Sequence, residues 1–177
     1  MLRNDALPYL SALFARSELS VCLGVLHGSE IKLEIKIQSH HGFKTPTRAG
    51  ERINATSTSL GKAILAFSPP SVVESYIACG LPRATRYSVV DPDAFRAELH
   101  EIRLRGFAAD REESRLGIVS VAAPVIVNGA PQAAVSVSGR NRFDVGRLIQ
   151  EVTQAARTIA EIRTAHTAPA DMRSASA

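Results

Sequence analysis

The chain lacks the residues that mark most specialised classes of protein. Of its 177 residues none is Trp, three are Tyr and two are Cys. Cys22 and Cys79 lie far apart and match no metal or redox spacing, so they read as free thiols in a reducing cytoplasm. No apolar run reaches the ~20 residues that a membrane helix needs, and no membrane partner is expected. The N-terminus carries no signal-peptide pattern, because Arg3, Asn4 and Asp5 lead into an amphipathic stretch. The net charge of +4 is spread along the chain. Without a Lys/Arg cluster interleaved with aromatics, it argues poorly for nucleic-acid binding. Gly61-Lys62 lacks the spacing of a phosphate loop. His40-His41 would point apart in an extended segment and has no third ligand, so no metal or other cofactor is expected. No internal repeat is found. The length suits one domain with a sizeable core.

What is present centres on Gly106–Gly139. Two apolar runs, Ile118–Ile126 and Ala130–Ser138, flank Asn128-Gly129, a strong hairpin signal. Both runs alternate with period two, the mark of strands with unlike faces. A two-residue loop would set Ser136 against Val121 and mix the faces. A three-residue loop, Val127-Asn128-Gly129, is therefore expected, pairing Ser120 with Ser136 and Ala122 with Ala134. One face then carries valines for burial against helices. The other carries small and hydroxyl side chains, which leave room and need partners if buried. That hydroxyl-lined face is where a ligand would sit.

Leu7, Leu10, Leu13 and Phe14 predict a helix over about Asp5–Arg16. Leu19–Leu26 and Ile31–Ile37 read as strands joined by His27-Gly28-Ser29. In the second, isoleucine and leucine alternate with Lys32, Glu34 and Lys36, which predicts one wet face. Gln38–Ser57 reads as a long loop, and loops of that length are usually functional. Leu60, Ala63, Ile64 and Phe67 form a helical stripe capped by Thr58 or Ser59. Gly61 in that helix lets something approach closely. Ser68 is expected to cap the next helix, with Val72, Val73, Tyr76 and Ile77 inward and Gly80 and Pro82 at its end. Arg83–Val90 is a connector. Asp91-Pro92 opens a helix that buries Phe95, Leu99 and Ile102 and closes at Gly106. A last helix from about Asp144 buries Leu148, Val152, Ala155, Ile159 and Ile162. Residues 166–177 read as a disordered tail.

The string Gly106, three residues, Asp110, two residues, Glu113, six residues, Ser120-Val121-Ala122 is similar to the C-terminal signature of IclR-type bacterial transcriptional regulators. Leu60–Ala66 resembles the LGKA helix of that family. Gly80-Leu81-Pro82, Asp91-Pro92 and Val135–Gly139 also fit. Ile126 and Val127 depart from the aromatic and Asp or Asn common after the proline-valine segment. The likeness covers roughly Leu7 to Ala165. It implies an α+β, GAF-like fold, a curved antiparallel sheet flanked by helices. It also implies a division into the end of a linker helix (1–17), an effector-binding domain (18–165) and a tail (166–177). The DNA-binding winged helix-turn-helix of such regulators has no counterpart here, so the chain is either a piece of a regulator or a shortened relative. Carried over by motif, the ligand-binding residues are Ser59, Leu60, Asp110, Ile118, Ser120, Ser136 and Ser138. The implied partners are a small carboxylic acid effector and further copies of the chain in a homodimer or tetramer. DNA would be bound only through the missing domain.

Each of these positions also has an ordinary reading. Thr56–Ser59 before a helix can be a plain N-cap, or its free N–H groups and hydroxyls can receive a carboxylate. One serine on a sheet can be mere packing, whereas three on one face are harder to explain that way. Asp110, Glu112 and Glu113 can be a solvated acidic turn. With Ser120 they can also suggest an enzyme acting on a small acid, yet no motif places a histidine to activate the serine. A purely structural dimerisation module is the third reading. Cys22 is expected in the core of its strand, and Arg83 and Tyr87 at the rim of a pocket or an interface.

Overall fold

The computed structural model describes residues 2–38, 44–140 and 145–167. Among these the chain runs α1 (Leu2–Ser17), β1 (Ser20–His27), β2 (Glu30–Ile37), β3 (Arg52–Asn54), α2 (Ser59–Leu65), α3 (Pro70–Ala78), α4 (Pro92–Arg105), β4 (Ala108–Arg111), β5 (Ile118–Val127), β6 (Ala130–Arg140) and α5 (Val145–Thr167). The strands form one curled antiparallel sheet in the order β3-β2-β1-β6-β5-β4, and the fold is α+β.

The sheet is a single layer between two cores, as period-two alternation requires. On one face Val21, Leu23, Val121, Val125, Val135 and Val137 bury against Leu10 and Leu13 of α1 and Leu148, Val152 and Ile159 of α5. On the other, Ile31, Leu33, Ala122 and Ala134 bury with Leu60 and Ile64 of α2 and Phe95, Leu99 and Ile102 of α4. Each fully buried Val, Leu or Ile contributes about 1.5–3 kcal/mol. The valine face therefore anchors the layer, while the small residues of the opposite face leave space.

The hairpin register differs from the expected one. Val127 pairs with Ala130, so only Asn128 and Gly129 form the loop. Both have positive φ, 51° and 79°, the requirement of a type I′ turn. Parity is restored beyond the turn by a shift between Val125 and Ile126, where Gln132 is the extra residue of β6. Pro131, next to it, has no N–H to give to a regular ladder. Ser120 consequently pairs with Ser138 and Ala122 with Ser136. The slip from expectation is two residues, so each face keeps its composition.

A second bulge corrects the reading of β2. Leu23 pairs with Ile35 but Gly24 with Leu33, which makes Glu34 the extra residue. Ile31 and Leu33 thus join one core and Ile35 the other. Lys36, opposite Cys22, turns onto the face of the small residues instead of toward water.

Other boundaries also move. The long loop is interrupted by β3, which pairs Ile53 with Ile31. The Ser68 hydroxyl donates to the Ile64 carbonyl and so closes α2; α3 starts at Pro70, with Pro69 at its N-cap and no side-chain cap bond. Asp91 caps α4, accepting from the Ala94 N–H at 2.8 Å, and Gly106 ends it at φ 82°. α5 continues through His166 and Thr167, where the tail was expected to begin. The rest of that tail, Asp144 and the His40-His41 pair lie outside the described residues.

Candidate functional site

Between the serine face of the sheet and the start of α2 lies a cavity of about 260 Å³. It is smaller than the ~300–1,000 Å³ pockets of drug-sized ligands, so it suits a small metabolite. Ser120, Ser136, Ser138, Ile118, Cys22 and Leu33 line it from the sheet. Ser59 and Leu60 line it from α2, Asp110 from β4, and Ser114 and Arg115 from the turn that follows. All seven residues proposed from the sequence therefore border one cavity. A larger groove of about 750 Å³ between α4, β5 and α5 holds none of them and is open to solvent.

The α2 wall is built by Asn54, which sequence reasoning missed. Its side-chain oxygen accepts from the backbone N–H groups of Thr56 and Ser57, both at 2.8 Å, and from their hydroxyls at 2.9 and 3.0 Å. The Thr58 hydroxyl donates to the Asn54 carbonyl at 2.6 Å and accepts from the Gly61 N–H at 3.3 Å. Asn is a residue whose side chain competes for local backbone donors, and Asn54 two residues before a Thr/Ser run was the available signal. These bonds occupy the Thr56, Ser57 and Thr58 hydroxyls. The Ser59 hydroxyl lies 2.6 Å from that of Ser120. The N–H groups of Ser59 and Leu60, in the first turn, have no helical acceptor and no other protein acceptor among the described residues.

The acidic run is not a solvated turn. Asp110 is 1% exposed and Glu113 7%. One Asp110 oxygen accepts from the N–H groups of Glu113 (2.8 Å) and Ser114 (3.3 Å), and the other from the Ser114 hydroxyl. Burial pushes the Asp110 carboxyl above its usual range, against the pull of those donors and of Lys62. Glu113 is also pushed up by burial, with Lys62 opposing. The Lys62 ammonium, fully buried, donates to both Glu113 oxygens at 2.7 and 2.8 Å and to Glu98 at 2.6 Å. It thereby ties the turn after β4 to α2 and α4. The lysine of the LGKA string is a buried ion-pair centre, with no phosphate role.

The roof is held by Lys36. Its ammonium donates to the Thr45 carbonyl at 3.0 Å, to the Thr47 hydroxyl at 2.7 Å and to the Thr47 carbonyl. Thr45, Pro46 and Thr47 border the cavity, and the Thr45 hydroxyl meets Ser20 at 3.1 Å. Burial lowers the Lys36 pKa. Cys22, expected as plain core, lies on the cavity wall, and burial raises its thiol to about 11. A thiol so rarely ionised is a poor nucleophile. Ser120 is no better placed, since its hydroxyl faces another hydroxyl and no histidine among the described residues borders the cavity. Tyr87 is exposed beside Arg86, whose guanidinium lies 4.9 Å from its ring centre, and neither it nor Arg83 borders the cavity. Among the described residues no group of three or more potential metal ligands is found, and no helix is long and apolar enough to cross a membrane.

The chain is similar to several known proteins. Residues 1–162 match the family model described as "Bacterial transcriptional regulator IclR C-terminal". The glycerol operon regulatory protein of Streptomyces coelicolor is 34% identical over 168 residues, covering 92% of this chain and 62% of that protein. The HTH-type transcriptional regulator BhcR of Paracoccus denitrificans is 31% identical over 136 residues, 76% of this chain and 49% of the relative. This chain thus spans about half to three-fifths of the length of these relatives. An IclR homologue from Microbacterium hydrocarbonoxydans, solved with 4-hydroxybenzoate, superposes with a TM-score of 0.88 at 25% identity, covering 94% of this chain and 69% of the other. The inducer-binding domain of PobR from Acinetobacter, a double mutant solved with 3-hydroxybenzoic acid, gives 0.81 at 27% identity, covering 93% and 98%.

Proposed function

The chain belongs to the IclR family of bacterial transcriptional regulators, as its C-terminal effector-binding domain, and on that premise we propose that its cavity receives a small organic acid. The family is one of regulators and not of enzymes. The observation that carries the proposal is the set of unmatched donors on the walls of one cavity. The Ser59 and Leu60 N–H groups and the Ser136 and Ser138 hydroxyls have no protein partner among the described residues, yet they border one cavity. Buried donors without acceptors are costly, and an anion satisfies them. The carboxylate sits at the Ser59–Leu60 N–H groups and away from Asp110, because two carboxylates repel. Asp110 accepts three hydrogen bonds from its own turn. A ligand hydroxyl can use what acceptor capacity remains. Ile118 and Leu33 supply the apolar cover for an aromatic or short aliphatic body. The bound benzoates of the two solved relatives are of this class.

Binding then biases α1 and the DNA-binding domains of the whole regulator, a population shift in a cytoplasmic homodimer or tetramer. By itself this chain does not bind DNA specifically. The test is calorimetric titration of hydroxy-acids, keto-acids, benzoates and their methyl esters against wild type and Ser136→Val. Removal of one hydroxyl leaves a ligand group unpaired and costs about 1–3 kcal/mol. Equal affinity for acid and ester removes the anion site, and unchanged binding in Ser136→Val moves the ligand off the serine face.

A further inference from the structure

We infer that Arg115 selects the charge of the ligand, through a guanidinium that the fold leaves unmatched at the edge of the cavity. The inference rests on the anion reading above and names the residue that makes the site discriminate.

Among the described residues four charged side chains stand at the cavity or its roof, and three are already committed. Asp110 is closed on its own turn by Glu113 and Ser114. Glu51 accepts from the Arg48 N–H at 2.7 Å. Lys36 directs its ammonium to Thr45 and Thr47 in the roof. Arg115 borders the cavity and is solvent-exposed, and among the described residues its guanidinium makes neither a hydrogen bond nor an ion pair. The cation whose field acts on Asp110 is Lys62, not Arg115. A cavity whose two acids are internally matched and whose arginine is not favours an anion.

The backbone that carries Arg115 is fixed. Glu112 stands at φ 64°, its N–H donates to the Ile118 carbonyl at 3.1 Å, and its carboxylate accepts from the Gly117 N–H at 2.6 Å. The Ile118 N–H donates back to the Arg115 carbonyl at 3.2 Å. Glu113 is clamped by Lys62, and the connector holds the same turn through Ser88, whose hydroxyl donates to the Glu113 carbonyl at 2.8 Å. None of these bonds uses the Arg115 side chain. The residue is therefore presented by a hydrogen-bonded turn that does not depend on it, next to Ser114 and bordering the same cavity as Ser59 and Ser120. A planar guanidinium can take both carboxylate oxygens, which a hydroxyl cannot. The Ser59 and Leu60 N–H groups orient the carboxylate, and Arg115 separates an acid from its neutral analogue.

The experiment takes the tightest-binding acid of the panel above, with its methyl ester, and titrates wild type, Arg115→Leu and Arg115→Lys by calorimetry at low and high salt. Loss of a charge-assisted bond at a partly wet site weakens acid binding roughly tenfold in Arg115→Leu, and leaves ester binding and melting temperature unchanged. Arg115→Lys restores part of the loss because it keeps the charge without the fork. Salt weakens acid binding to wild type more than to Arg115→Leu. Equal acid affinity in wild type and Arg115→Leu overturns the role of Arg115 and leaves the acid site standing. Equal loss for acid and ester also overturns it, because that marks a merely structural residue. Failure of every acid to bind wild type removes the acid reading itself.

Discussion

Gly61→Ala sets two known effects against each other. Alanine in a helix interior is favoured over glycine by about 1 kcal/mol, so propensity alone predicts a more stable protein. Packing predicts the reverse. A Cβ at Gly61 would stand 1.9 Å from the Ala55 carbonyl oxygen, 2.4 Å from its Cα and 2.5 Å from its carbonyl carbon. These are backbone atoms, so no rotamer change can clear them. Merely reaching 3.0 Å from that oxygen requires the two segments to part by about 1.1 Å. The parting would strain the Asn54–Thr58 bonds that set the start of α2. Overpacking of this kind costs ~3 kcal/mol or more, and the helix gain offsets only about 1 of it. The expected net loss is about 2 kcal/mol or more. For a chain of this length that lowers the melting temperature by roughly 4–8 °C. The assay is thermal unfolding by circular dichroism, with calorimetric titration of a binding acid on the same samples. Ser59 and Leu60 move with α2, so affinity should fall as well. A variant as stable as wild type, or more so, would refute the close-approach argument and show that propensity decides.

Lys62→Met should lose about 3–5 kcal/mol in urea unfolding, because Glu113 and Glu98 stay behind around a missing cation. The double variant Lys62→Met/Glu113→Leu should lose less than the single one; a larger loss contradicts the buried-pair reading. Asp110 has a folded pKa raised by burial above its ordinary 3.8. The folded chain then holds a proton that the unfolded chain releases, so stability falls as pH rises from about 3.8 through the folded pKa, and the cost is complete above it. Asp110→Asn removes that titration, so its stability relative to wild type should improve over this window in urea midpoints taken from about pH 3 to pH 8; a gain that shrinks with rising pH refutes it. Lys36→Met should free the Thr45–Thr47 roof and weaken acid and ester alike by about 1–2 kcal/mol in calorimetry. A loss confined to the acid would instead put Lys36 on the ligand's charge.

The sequence by itself determined the local and periodic part of this protein. Alternation in Ile118–Ile126 and Ala130–Ser138 marked two strands with a valine face and a serine face. Asn128-Gly129 marked the turn, and Asp91-Pro92 and Gly106 bounded α4. These signals are legible because the residues that cause them are neighbours in the chain, where turn dihedrals, caps and strand alternation act. The spaced Gly106–Asp110–Glu113–Ser120 string added the family likeness and the positions that border the cavity. Pairing across the sheet was not legible, because one extra residue at Glu34 shifts a register without leaving a local mark, and Pro131 beside Gln132 hints at an irregular ladder without fixing which residue is extra. That is why Ser138, not Ser136, lies opposite Ser120, and why Lys36 holds the cavity roof instead of facing water. Nor could spacing show that Lys62 would be sealed between Glu113 and Glu98, 51 and 36 residues away. Only tertiary packing excludes the water that would otherwise solvate those charges. Among the described residues, the folded chain likewise leaves Arg115 as the charged cavity residue without a side-chain partner.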